Sequence, residues 1–174
     1  MIHSFICTFR KICTTVMKNF EIERKYLVDH EKWFLTAKPP GVSYIQGYLS
    51  IDEDKIIRVR VAGDKGFLTI KGKSETISHH EFEYLIPVEE ARDMLRLFTT
   101  TMVEKVRIRI PAGKLVWEVD EFHGANEGLI MAEIELDSED DLFEKPEWVG
   151  QEVTADEHYY NASLSLNPYK NWKK

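Results

Sequence analysis

Apolar and polar residues alternate with a period of two along most of the chain, the pattern of half-buried strands. In FEIERKYLV (20–28), Glu21, Glu23, Lys25 and Leu27 share one face, and Ile22, Arg24, Tyr26 and Val28 share the other. The alternation returns in VSYIQGYLSI (42–51), KIIRVRVA (55–62), GFLTIKGK (66–73), HHEFEYLIP (79–87), EKVRIRI (104–110), KLVWEVDEF (114–122) and LIMAEIEL (129–136). Asp52-Glu53-Asp54 and Gly63-Asp64-Lys65-Gly66 supply turn chemistry suited to hairpins. Two stretches have helical spacing instead. Residues 29–38 predict a short helix ended by Pro39-Pro40-Gly41. Val88, Ala91, Leu95 and Phe98 mark one face of a second, with Glu89 and Glu90 favourable near its N-terminus. In the tail, Ser138 is placed to cap a turn, and 159–166 predict a last helix. About eight strands are enough for an antiparallel sheet to close on itself.

The charges along these strands repeat a theme. Glu21/Glu23, Arg58/Arg60, Glu81/Glu83, Lys105/Arg107/Arg109, Glu118/Asp120 and Glu133/Glu135 each lie at i, i+2, as do Thr69 and Lys71. Such side chains project the same way, roughly 6.6–6.8 Å apart. The residues between them are mostly apolar: Ile22, Val59, Ile70, Phe82, Val106, Ile108, Val119 and Ile134. For one strand, a solvated outer face explains this fully. For the set it does not, because acidic and basic pairs segregate by strand and the bases are largely arginine, whose planar fork matches phosphate oxygens. With this face turned inward, eight acids and seven bases share one lumen. Unpaired ions are too costly to bury, so such a lumen holds water and ligands. Carboxylates call for hard divalent cations and the base cluster for a polyanion. A metal-bound polyphosphate satisfies both.

Composition narrows the classes. The 174 residues, 43% hydrophobic and 30% charged, fit one soluble domain, and no apolar run is long enough to span a bilayer. A formal net charge of −7 argues against nonspecific nucleic-acid binding. Cys7 and Cys13 both precede the first strand, leaving no disulfide framework or cysteine zinc site in the body. The opening MIHSFICTFRKICTTV lacks the order of a secretory signal, since Arg10 and Lys11 follow its apolar patch. The expectation is a cytoplasmic protein with an N-terminal extension over 1–16, Met17 as natural start, and one domain over 17–174.

Glu21-Ile22-Glu23-Arg24-Lys25 resembles the ExExK signature of the CYTH superfamily, the triphosphate tunnel metalloenzymes. The resemblance runs from about Phe20 to Leu166 through QGYL (46–49), RVR (58–60), LTIKG (68–72), EFE (81–83), EKVR (104–107), WEVDEF (117–122), AEIEL (132–136) and PEWVGQEVT (146–154). It implies an α+β, mainly β fold: a closed eight-stranded antiparallel β-barrel, the tunnel, with a few flanking helices. It also implies metal carboxylates at Glu21, Glu23, Glu133 and Glu135 for Mg²⁺ or Mn²⁺, and phosphate-binding bases at Lys25, Arg58, Arg60, Lys71, Lys105 and Arg107. Arg109 joins the bases by alternation. Glu81, Glu83, Glu118 and Asp120 match the inward acids that hold a second metal or orient water. Ile108 departs from relatives that carry an aromatic there.

The function expected from this resemblance is divalent-metal-dependent hydrolysis of a triphosphate, foremost inorganic tripolyphosphate. The rivals are a class IV-type adenylate cyclase, a thiamine or nucleoside triphosphatase, and a non-catalytic polyphosphate- or nucleotide-binding module. No candidate for adenine recognition stands out, which favours hydrolysis. The expected partner is a small-molecule triphosphate, with no nucleic acid and no membrane; an apolar barrel exterior leaves room for a homodimer. His79-His80 cannot chelate one ion from a single strand, and His123 and His158 stand alone. Trp117, Trp148 and Trp172 are expected to pack, Tyr48 to line the tunnel or pack, and the Asn161-Ala162-Ser163 sequon to be chance.

Overall fold

The computed structural model describes residues 20–72 and 78–172; the extension and its proposed start at Met17 lie outside them. Among the described residues, nine strands and three α-helices follow in chain order: β1 Phe20–Val28, α1 His30–Leu35, β2 Val42–Ile51, β3 Lys55–Ala62, β4 Lys65–Gly72, β5 Ser78–Ile86, α2 Val88–Phe98, β6 Met102–Ala112, β7 Leu115–His123, β8 Ile130–Leu136, β9 Val149–Glu152 and α3 Asn161–Leu166. The fold is α+β and mainly β, one antiparallel sheet in the order β5-β4-β3-β2-β6-β7-β8-β1-β9. At its far side β5 also pairs with β1, Phe20 to Ile22 against His80 to Ser78.

Local chemistry sets these elements. Gly63 and Gly113 take positive φ inside the two-residue turns joining β3 to β4 and β6 to β7, where a side chain would be strained. Asp29 caps α1 by accepting from the Lys32 amide at 3.1 Å. Gly66 lets α2 lie close on β4, since a Cβ there would stand 2.8 Å from that of Ala91. The four residues of β9, inside the PEWVGQEVT segment, form a strand that the alternation does not predict; they pair with the end of β1, Val149 opposite Val28.

The apolar residues of the strands pack away from the charged ones. Ile22, Tyr26, Val28, Ile108, Trp117, Val119, Ala132 and Ile134 form the main core with Trp33 of α1 and Trp148. The Trp117, Trp148 and Trp33 rings meet edge to face, at 5.7 and 5.0 Å between centroids. Val59 and Val61 are covered by Ala91 and Leu95 of α2. Ile70 and Phe82, in the same outward register, stay partly exposed. Beyond the last charges of β1, β6, β7 and β8, Leu27, Val103, Phe122 and Met131 continue the inward face. There they gather around Leu164 of α3, so one end of the interior is apolar and covered.

Candidate triphosphate site

Side chains from β1 through β8 line one cavity of about 470 Å³. It takes Glu21, Glu23 and Lys25 from β1, Arg58 and Arg60 from β3, Lys71 from β4, and Glu81 and Glu83 from β5. From β6 to β8 it takes Lys105, Arg107, Arg109, Glu118, Glu133 and Glu135. Every charged position named from the alternation thus faces this space, except Asp120. That residue is 1% exposed and lies beneath the bases.

Two networks organise the walls. In the first, Arg107 grips Asp120 with both arms of its guanidinium, Nε to Oδ1 and Nη2 to Oδ2, each at 2.6 Å. The same guanidinium reaches Glu133 at 2.8 Å and also Glu118. Lys25 joins Glu133 and Glu23, both at 2.8 Å, and Lys105 contacts Asp120 at 2.5 Å. In the second, Arg58 donates to Thr69 at 3.1 Å and contacts Glu81 and Glu83 at 3.4 and 3.3 Å. Arg60 donates to Glu83 at 2.8 Å, Thr69 donates to that carboxylate at 2.9 Å, and Lys71 meets Glu81 and, at 3.4 Å, Glu21. Arg109 pairs with Glu118 at the rim, 65% exposed.

These pairings set the charge states. Burial works against the ionised Glu133, but Lys25, Arg107 and Lys105 outweigh it and hold its carboxyl well below the usual range. Burial likewise opposes ionised Glu23, and Lys25 with Lys71 brings it down. Burial disfavours charged Lys25, yet Glu133 and Glu23 raise it. Lys105 goes the other way. Burial first, then neighbouring Arg107, push it down to about 8 against the pull of Asp120 and Glu133.

The carboxylates at the positions expected to hold metal lie on neighbouring strands, Glu23 directly across from Glu135 and Glu133 across from Lys25. Among the described residues no three carboxylate or imidazole groups converge on one point as a ready cation cage. All-oxygen donors beside a wall of arginine and lysine side chains suit a hard divalent cation.

Three residues join the site that sequence reasoning had not assigned. Thr69, noted only as sharing a face with Lys71, bridges Arg58 and Glu83. Tyr44, inward by the alternation of β2, lies under both Arg60 and Arg107, its centroid 5.3 and 5.5 Å from their guanidinium carbons. Asn161 lines the cavity from α3, and no strand periodicity pointed to it. Its Oδ1 accepts from Lys105 Nζ at 3.3 Å. Tyr48 lies outside the cavity lining; its hydroxyl accepts from Gln46 at 2.8 Å, and burial pushes it up to about 12. His123 and His158 are exposed, beside Glu127 and Asp156. Trp117 and Trp148 pack in the core, and Trp172 packs against Tyr159 and Tyr169.

The CYTH domain profile matches residues 19–166. The chain belongs to the CYTH family. Its CYTH relatives include the inorganic triphosphatase of Acetivibrio thermocellus, 50% identical over 155 residues, which span 88% of this chain and 98% of the relative. The inorganic triphosphatase of Nitrosomonas europaea is 36% identical over 152 residues, 84% of this chain and 97% of the relative. Among solved structures, that of the inorganic triphosphatase NE1496 superposes with a TM-score of 0.59 at 32% identity, covering 84% of this chain and 94% of the other.

Proposed function

We propose that β1 to β8 close into an eight-stranded tunnel, and that the chain hydrolyses inorganic tripolyphosphate in its interior with a divalent cation, Mg²⁺ or Mn²⁺. One observation carries the reading: bases and carboxylates from seven strands share one cavity, with most of the bases on β3, β4 and β6 and Glu21, Glu23, Glu133 and Glu135 on β1 and β8. The pairing of β5 with β1 brings the two ends of the strand order together and supports closure. Buried Nε donors of Arg58 and Arg60 have no hydrogen-bond partner among the described residues, which suits walls built for an anion. Relatives of this length carry the same activity in their names.

Glu21, Glu23, Glu133 and Glu135 would hold the cation, which supplies Lewis-acid neutralisation of phosphate oxygens when bound. Arg58, Arg60, Lys71, Arg107 and Lys105 bind the phosphate chain by exchanging carboxylate partners for phosphoryl oxygens. These fixed cations stabilise the charge spread over the equatorial oxygens of a loose transition state. Asp120 does not meet water. Both its oxygens are taken by Arg107 and Lys105, and it positions those bases. Glu81, Glu83 and Glu118 line the cavity and are the acids available to orient and deprotonate an attacking water. Tyr44, the aromatic residue that lines the interior, is engaged by two arginines rather than free to stack an adenine ring. That favours hydrolysis over cyclisation.

The test is direct. Purified protein with Mg²⁺ or Mn²⁺ is offered tripolyphosphate, ATP or thiamine triphosphate, and phosphate, pyrophosphate and cyclic AMP are assayed. Orthophosphate and pyrophosphate from tripolyphosphate are expected. Cyclic AMP from ATP, with tripolyphosphate left intact, would overturn the reading.

A further inference from the structure

Asn161 enters the interior from outside the sheet. It lies at the start of α3, whose Leu164 is fully buried against Val103, Phe122 and Met131 at the covered end of the cavity. Leu164 is anchored again through its carbonyl, which accepts from Asn126 at 3.4 Å. The Asn161 side chain therefore has a fixed platform. Its Oδ1 accepts from Lys105 Nζ at 3.3 Å. An ammonium has donors only, so it dictates which end of the amide faces it. The oxygen is committed to Lys105, and the two N–H donors are left over. Among the described residues they have no partner, and the residue lines the cavity.

We propose that Asn161 is a substrate-binding residue, its amide nitrogen donating to oxygens of the innermost phosphoryl group while its amide oxygen holds Lys105 in place. Asn161 then sets polar donors above the apolar covered end, where they recognise a chain terminus, and the rest of the polyphosphate extends toward the rim at Arg109. The inference rests on the triphosphate reading and deepens it. A merely structural Asn161 would prop Lys105 and nothing more.

The two roles separate in paired variants of the full chain. Asn161→Ala is compared in the wild-type background and in Lys105→Ala, which removes the group that a prop would hold. Calorimetric binding of tripolyphosphate is expected to weaken about tenfold on Asn161→Ala in both backgrounds. A loss confined to the background that keeps Lys105 overturns the inference, because it would make holding Lys105 the whole role. A second readout needs no variant protein to bind. In wild type, the Asn161 side-chain amide signals in a ¹⁵N correlation spectrum are expected to move on titration with tripolyphosphate, and signals that stay in place overturn the inference. Wild-type protein that binds tripolyphosphate with shifted Asn161 signals yet releases no phosphate sinks hydrolysis alone. Phosphate release with unmoved signals sinks the role of Asn161 alone.

Discussion

At the residue scale, the interior works because each base already has a carboxylate partner that holds it in place. Glu23 shares Lys25 with Glu133, so removing its charge takes away an expected cation ligand and disturbs the network. Glu23→Gln is expected to cut phosphate release by at least a hundredfold, with no rescue by added Mg²⁺ or Mn²⁺; full metal-dependent turnover would reassign the roles. Arg58→Ala, which strips a base from Thr69, Glu81 and Glu83, is expected to act mainly through KM, raising it about tenfold. Lys105 gives a pH signature. Its folded value of about 8 lies below that of the unfolded chain, so its ammonium is lost as pH rises through about 8. Between those two values the unfolded state holds more protons, and this group's contribution to stability rises with pH even as substrate binding suffers. Since kcat/KM reports the free enzyme, it is expected to fall above about pH 8, and Lys105→Arg to remove that decline. A wild-type profile flat to about pH 10 would contradict this.

At the scale of elements, alternation carried the reading a long way, and its failures have physical causes. A period of two says which residues share a face, so the inward sets of β1 and β3 to β8 were legible without any contact information. It says nothing about depth along that face, which is why Asp120 was grouped with lining acids although it lies under Lys105 and Arg107. The four residues of β9 are too short for periodicity to register. Asn161 sits on a six-residue helix whose direction is set by Leu164, a tertiary contact. That contact is itself testable. Leu164→Ala leaves a void at the covered end, and thermal or denaturant unfolding is expected to show about 2–5 kcal/mol less stability. A loss under about 1 kcal/mol would mean that α3 does not close that end.

For the whole molecule, an acidic protein of net charge −7 gathers bases and carboxylates around one cavity. Its apolar packing sits outside the strands, under α1, α2 and the Trp148 segment. Among the described residues no helix is long and apolar enough to cross a membrane. A ligand that binds only the folded state at about a hundred times its Kd adds about 2.7 kcal/mol. Tripolyphosphate with Mg²⁺ is therefore expected to raise the unfolding midpoint by roughly 5–10 °C. The same anion with a chelator is expected to raise it less, and to be turned over not at all. The most direct measurement is a crystal structure with Mn²⁺ and tripolyphosphate, the metal located by its anomalous scattering. The predicted result is a manganese peak bridging phosphate oxygens to carboxylates of β1 and β8, with the phosphates against Arg58, Lys71 and Arg107. Manganese and phosphate bound on the outer surface, with those salt bridges undisturbed, would contradict it.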